Sequence, residues 1–250
     1  ILGTLCAWLM APLPPQKPNM AIKANPFGNL FDTIGELRSD RGLFAVVLLY
    51  SFFWFNGGGV QQSITGLGEQ GYLNIQTGEA SEISYLLVYL ALSIIVGSLI
   101  VPRVARVVDL PRLVIIGAVL MVAFQASLLL IGTVVSREEG ALDLAKVSMV
   151  GIGFFGACFV VPVQSYLQDA PPPGMRGQTF AVNNFMNFIF IFVGGIWYML
   201  FRGNIVPDFK LSAAITQFTA GLALLAFLVL KRKAVFSMKI GEQVKHSATD

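Results

Sequence analysis

Charge is what this sequence lacks most. Only 12% of its 250 residues are Asp, Glu, Lys or Arg, against about 25% in ordinary soluble domains. Water cannot solvate a surface so poor in charge, which argues against a soluble enzyme. Cysteine is nearly absent too: Cys6 and Cys158 both lie in apolar stretches and neither has a CxxC partner. That excludes a disulfide framework and leaves metal or redox chemistry without support. The single histidine, His246, sits in a polar tail. There is no Ser/His/Asp set within the apolar runs, no H-E-x-x-H, no phosphate loop and no basic nucleic-acid footprint. The sequence thus points away from an enzyme, from a cofactor or metal requirement, and from nucleic acid as a partner.

What is abundant is uninterrupted apolar sequence. Mean hydropathy is +0.71 and 55% of residues are apolar. Six stretches carry no charge over at least twenty residues: 42–68, 83–102, 113–136, 147–168, 177–201 and 211–230. As helices rising ~1.5 Å per residue, each is long enough to cross ~30 Å of hydrocarbon. Strands of a β-barrel would alternate apolar and polar residues; these runs are apolar on all sides. The expectation is an all-α transmembrane bundle in a lipid bilayer, with spans near 42–64, 83–101, 113–135, 146–167, 178–201 and 211–230 inside a 42–232 region.

The linkers alternate in charge. One set holds Lys17, Lys23, Arg38, Arg41, then Arg103, Arg106, Arg112, then Arg176, then Lys231, Arg232, Lys233, Lys239 and Lys245. The other holds only Arg137, Lys146, Arg202 and Lys210. The positive-inside rule puts the richer set in the cytoplasm. Both ends of the chain are then cytoplasmic, a parity that six spans satisfy. Residues 233–250 read as a cytoplasmic tail.

Two segments precede the spans. Ile1–Ala11 is apolar, too short to span, and runs into Pro12, Pro14 and Pro15. No basic residue precedes it, so it does not read as a signal peptide. The favoured reading is the end of an earlier transmembrane helix; the alternative is an unusual but complete N-terminus. Residues 12–41 form a linker in which Phe27, Leu30, Phe31, Ile34 and Leu37 recur at helical spacing. That pattern predicts an amphipathic helix over 27–38 along the cytoplasmic interface, with a tether between two membrane halves the favoured reading and a signalling or partner-binding helix the alternative.

Span interiors hold no charge, so candidate function rests on neutral polar residues. The first span carries Tyr50, Ser51, Trp54, Asn56, then Gly57, Gly58 and Gly59, then Gln61, Gln62 and Ser63. Glycines within a helix cost ~1 kcal/mol each against Ala. The triplet therefore marks either a hinge in a discontinuous helix beside a substrate site or close helix packing. The fifth span carries Asn183, Asn184 and Asn187, the first and last on one face. Amides are costly against lipid, so that face is expected to turn inward and line a substrate pathway; the alternative is interhelical hydrogen bonding without substrate contact. Gln125 and Gln217, single polar residues in their spans, read as helix-to-helix hydrogen bonds. Gly151, Gly153, Gly156, Ala157, Gly194 and Gly195 read as packing positions.

Three features together resemble the major facilitator superfamily. After the second span, Gly97-Ser98-Leu99 followed by Arg103, Arg106 and Arg112 occupies the place of the superfamily's G-x-L-x-D-R loop. Val101 and Pro102 stand where its Asp and Arg would fall. Before the fifth span, Pro173-Gly174-Met175-Arg176-Gly177-Gln178 is similar to the P-x-x-R-G turn. The third feature is the arrangement of a partial span, a long linker and six spans. Within the superfamily, three stretches resemble the lysophospholipid transporter family, whose members include acyltransferase fusions: Phe52 through Gly58, Gln168-Asp169-Ala170-Pro171 through Gly177, and Ala181 through Asn187.

The resemblance implies the C-terminal bundle of a twelve-span carrier, working against an N-terminal six-helix half and moving a lysophospholipid or similar amphiphile across a bacterial inner membrane. It gives Asn56, Asn183, Asn184 and Asn187 a headgroup role, with Tyr50 and Trp54 at the margin and Gln61 on the pathway. Gly97, Arg103, Arg106, Arg176 and Gly177 become cytoplasmic gating-loop residues. The competing expectation is a membrane anchor or assembly module that transports nothing. The polar clusters in spans one and five argue against it, since an anchor needs neither.

Overall fold

The computed structural model describes residues 8–9, 26–69, 73, 80–131, 134–135, 140–172, 174–201 and 209–236. The expected partial helix over 1–11 apart from residues 8–9, the linker's first half over 12–25 and the tail beyond 236 lie outside the described residues. Within them the chain is helical, with no strand and one isolated bridge between Ile131 and Val135. The helices are α1 (Pro26–Ser39), α2 (Arg41–Glu69), α3 (Ala80–Val104), α4 (Leu110–Ser127), α5 (Ala141–Asp169), α6 (Arg176–Leu200), α7 (Phe209–Leu230) and α8 (Arg232–Phe236). Helices α2 to α7 supply six candidate membrane spans by length and hydropathy.

Each helix starts where local chemistry allows. Asp40 caps α2: its Oδ1 accepts the backbone N–H groups of Gly42 and Leu43, both at 3.0 Å, satisfying donors that a helix start leaves orphaned. Pro111 sits in the first turn of α4, where its missing N–H costs nothing. Gly140 precedes α5 with φ of 92°, a left-handed conformation that glycine adopts without strain. The third span is shorter as α-helix than its apolar run suggests. Ser127 Oγ donates to the carbonyl of Phe124 at 2.6 Å and pairs with Ser148 Oγ at 2.7 Å. The chain tightens there into a 3-10 turn over Leu128–Leu130. Such side-chain-to-backbone bonds compete with helix continuation.

The bundle is two triplets. Helix α5 packs against α3 and α4, and α2 packs against α6 and α7. Contacts of α4 with α7 and of α2 with α5 join them. Small residues let the backbones approach. A Cβ at Gly117 would stand 2.6 Å from the backbone nitrogen of Phe159, and one at Gly194 would stand 2.7 Å from the carbonyl oxygen of Phe55. Gly151, Gly153 and Gly156 likewise face side chains of neighbouring helices. In lipid, where apolar surface gains nothing from leaving water, this close van der Waals packing is what holds helices together.

Three sequence expectations change. Gly97 is not in a loop: it lies inside α3, and a Cβ there would meet Ala157 Cβ at 2.7 Å and the Phe154 carbonyl at 3.0 Å. Arg103 is in the last turn of α3, donating to the Leu99 carbonyl at 2.7 Å, while Arg176 and Gly177 open α6. Arg106 alone of that set is in a connection. The glycine triplet does not interrupt α2, which is continuous from Arg41 to Glu69. Finally, α1 does more than lie on an interface. Leu37 and Thr33 are buried, and the helix packs on α6 and α2. The Arg38 guanidinium sits 5.7 Å from the Phe44 ring centroid, a distance at which cation and ring attract.

Candidate functional site

Helix α2 divides its polar residues between two faces. Positions 54, 57 and 61 share one side at helical spacing, and Trp54, Gly57 and Gln61 are all exposed. Asn56, Gly59, Val60 and Ser63 turn the other way and are buried. The stretch that looks like one polar cluster in sequence is therefore two.

The buried cluster is an amide clasp. Gln125 Nε2 of α4 donates to Asn56 Oδ1 at 2.6 Å, and Gln217 Nε2 of α7 donates to the same oxygen at 2.5 Å. Gln217 Nε2 also reaches the Asn56 backbone carbonyl at 3.3 Å. All three side chains are at most 1% exposed. Glycines make the room: a Cβ at Gly59 would sit 2.7 Å from Gln217 Oε1, and one at Gly221 would collide with Gln125 Oε1. Asn56 Nδ2 and both glutamine oxygens have no hydrogen-bond partner in the bundle. A cavity of about 50 Å³ touches Asn56 and Gln125, large enough for water to serve them. Asn56, expected on the substrate pathway, is thus placed as the joint of three helices, and Gln125 and Gln217 make the interhelical bonds expected of them.

The exposed face of α2 meets α6. Trp54, Asn184, Asn187, Phe188 and Ile191 line an open pocket of about 160 Å³. Two amides stand at 184 and 187, and an apolar strip follows at 188 and 191, one to two turns along the same helix. Ser51 Oγ is 3.1 Å from Asn187 Oδ1 and 3.0 Å from the Val47 carbonyl, its one proton shared between the two acceptors, which ties the Asn187 amide to α2. Asn183 is buried beside this face, its Oδ1 without a hydrogen-bond partner. Tyr50 is buried one turn below Trp54, ring centroids 6.4 Å apart in an edge-on arrangement. Of the residues expected from sequence, the structure brings together Tyr50, Trp54, Asn184 and Asn187. Gln61 lies about two turns farther along α2, on the same exposed side.

Phe188 and Ile191 were not anticipated, and Ser51 was marked only as one of the polar residues of its span. The two apolar residues follow Asn184 at i+4 and i+7, so helical spacing carried a signal. Ser51 had none beyond its polarity. Among the described residues, no three His, Cys, Asp or Glu side chains gather as metal ligands would.

This geometry is a six-helix membrane bundle with a polar notch on its open face. The family model of the Major Facilitator Superfamily matches residues 1–195. The chain belongs to this superfamily. No curated protein and no solved structure matches it. The bundle of α2 to α7 is the six-span unit that makes up half of a major facilitator transporter, so the protein is an integral, multi-pass membrane protein of a transporter family.

Proposed function

We propose that this major facilitator bundle is the C-terminal half of a secondary transporter for a lysophospholipid or a similar amphiphile, moved by alternating access against a second six-helix bundle. One observation carries the reading: the pocket between α2 and α6 joins two amides to an apolar strip, Asn184 and Asn187 beside Phe188 and Ile191. Amides donate and accept, so they suit a phosphate or glycerol hydroxyl without a fixed charge. The exposed Trp54 ring offers a face to a headgroup ammonium. Phe188 and Phe192, both more than two-thirds exposed, extend the apolar side where an acyl chain would lie. The exposed apolar faces of α3 and α6 suit a partner bundle. The charge distribution of the loops favours both chain ends in the cytoplasm, and the resemblance to the lysophospholipid transporter family favours a bacterial inner membrane.

The test is flipping of a fluorescent lysophospholipid in proteoliposomes holding the carrier that contains this chain. Trp54→Ala, Asn184→Ala and Asn187→Ala are each expected to slow transport about tenfold while inserting normally, the scale of one to two lost polar contacts. Wild-type rates in all three would overturn the site. Absence of flipping by the wild-type carrier would favour a different substrate or a non-transporting anchor.

A further inference from the structure

Apart from the α2–α6 pocket, an apolar groove of about 380 Å³ lies between α3, α4 and α5. That volume is in the range of small-ligand sites, ~300–1,000 Å³. Tyr89 of α3 and Phe124 of α4 form its walls, and Val147, Val150 and Phe154 of α5 run along it. Gly151 allows the Phe124 ring to lie directly on the α5 backbone, where any side chain would collide. Phe124 stacks on Phe155 with centroids 5.7 Å apart, giving the groove a rigid aromatic floor. From residue 146 to residue 155 the groove follows α5 for roughly 13 Å at ~1.5 Å per residue, about half of a ~30 Å hydrocarbon core. Its length is therefore that of one leaflet's acyl layer.

One end of this apolar groove is charged. Lys146 lines it with a part-buried side chain; a lysine at headgroup depth lays its stem on apolar surface and keeps its ammonium polar. Lys146 Nζ is 3.0 Å from Asp143 Oδ1. That end of the groove thus presents an ammonium and a carboxylate side by side. A purely anionic headgroup would meet a partner in Lys146 but a like charge in Asp143. A headgroup with a phosphate and an ammonium is matched at both ends: the phosphate to Lys146, the ammonium to Asp143.

We infer that this groove is a binding site for a single zwitterionic, ammonium-bearing phospholipid, with one acyl chain along α5 and its phosphate on Lys146. The inference needs only the membrane embedding of the bundle and is independent of what the carrier transports.

The experiment uses the carrier containing this chain, reconstituted in vesicles of phosphatidylethanolamine and phosphatidylglycerol at a 7:3 ratio. Each vesicle set is doped with a trace of either lipid bearing a photoactivatable group in its acyl chain, and labelled residues are mapped by mass spectrometry. The expected result is labelling of residues 147–155 by the phosphatidylethanolamine probe, reduced about fivefold by Lys146→Ala, the scale of one basic residue's contact with a lipid headgroup. Val150→Trp, which fills the groove, should abolish it, and Lys231→Ala, on an exposed residue elsewhere, should leave it unchanged. Equal labelling by both probes, stronger labelling by phosphatidylglycerol, or no effect of Lys146→Ala would each overturn the proposal. Loss of lysophospholipid flipping with this labelling intact would bear on the transport reading alone.

Discussion

Gln217 donates its side-chain amide to Asn56 Oδ1 across 2.5 Å and 161 residues of sequence. With Gln125 donating to the same oxygen, one acceptor holds α2, α4 and α7 together inside the hydrocarbon region. Asn56→Ala removes that acceptor and leaves two buried NH2 groups without it. A loss of about 1–3 kcal/mol is expected, the cost of orphaned buried donors rather than of a single net hydrogen bond. Unfolding of the purified carrier in mixed detergent micelles would measure it. A variant as stable as wild type but defective in transport would return Asn56 to the substrate pathway.

The glycine triplet offers a sharper comparison. A Cβ at Gly57 meets nothing within 4 Å, while one at Gly59 would stand 2.7 Å from Gln217 Oε1. Gly57→Ala is expected to keep or raise stability, by up to ~1 kcal/mol of helix propensity. Gly59→Ala should destabilise, and shortening the obstructing side chain in a Gly59→Ala/Gln217→Ala double variant should recover part of the steric loss. If α2 bends at this triplet during transport, Gly57→Ala will slow flipping while leaving the unfolding midpoint in place. Equal stability of the two single variants would show that the clasp tolerates the intrusion.

Backbone contacts should be less forgiving than side-chain ones. At Gly117 the nearest atoms are the backbone nitrogen of Phe159 and the carbonyl oxygen of Phe155, at 2.6 and 2.8 Å. Neither can rotate away, so Gly117→Ala is expected to push α4 from α5 and cost about 1–3 kcal/mol. Gly177→Ala, with nothing within 4 Å, serves as the tolerated control. Expression level and thermal unfolding of the two variants side by side would decide it.

The cap of α2 lies at the edge of the membrane. Asp40 Oδ1 accepts two backbone N–H groups, and Asp40→Ala is expected to cost about 1 kcal/mol. Asp40→Asn keeps an acceptor at that place and should retain most of the stability. Identical losses in both variants would assign the effect to charge instead of capping.

Much of the fold was legible because its causes are local. A charge-free run either spans hydrocarbon or does not, and lengths of twenty residues or more decide it. The periodicity from Leu30 to Leu37 announced α1 for the same reason: one face of a helix follows from spacing. Gly97 was misplaced because a motif resemblance assigned it to a loop, whereas its apolar neighbours continue the α3 helix through it.

The candidate site was legible only in part. From sequence, Trp54 and Asn56 are two residues apart in one polar stretch. A two-residue step turns a helix by about 200°, so they face opposite ways: Trp54 to the open α6 side, Asn56 into the three-helix joint. Composition and spacing were enough to establish a six-span membrane bundle and to mark its polar residues, because transfer of a segment into lipid depends on that segment alone. Which amides meet each other and which meet the open face was decided by tertiary packing, because Asn56, Gln125 and Gln217 become neighbours only when small residues let α2, α4 and α7 close together.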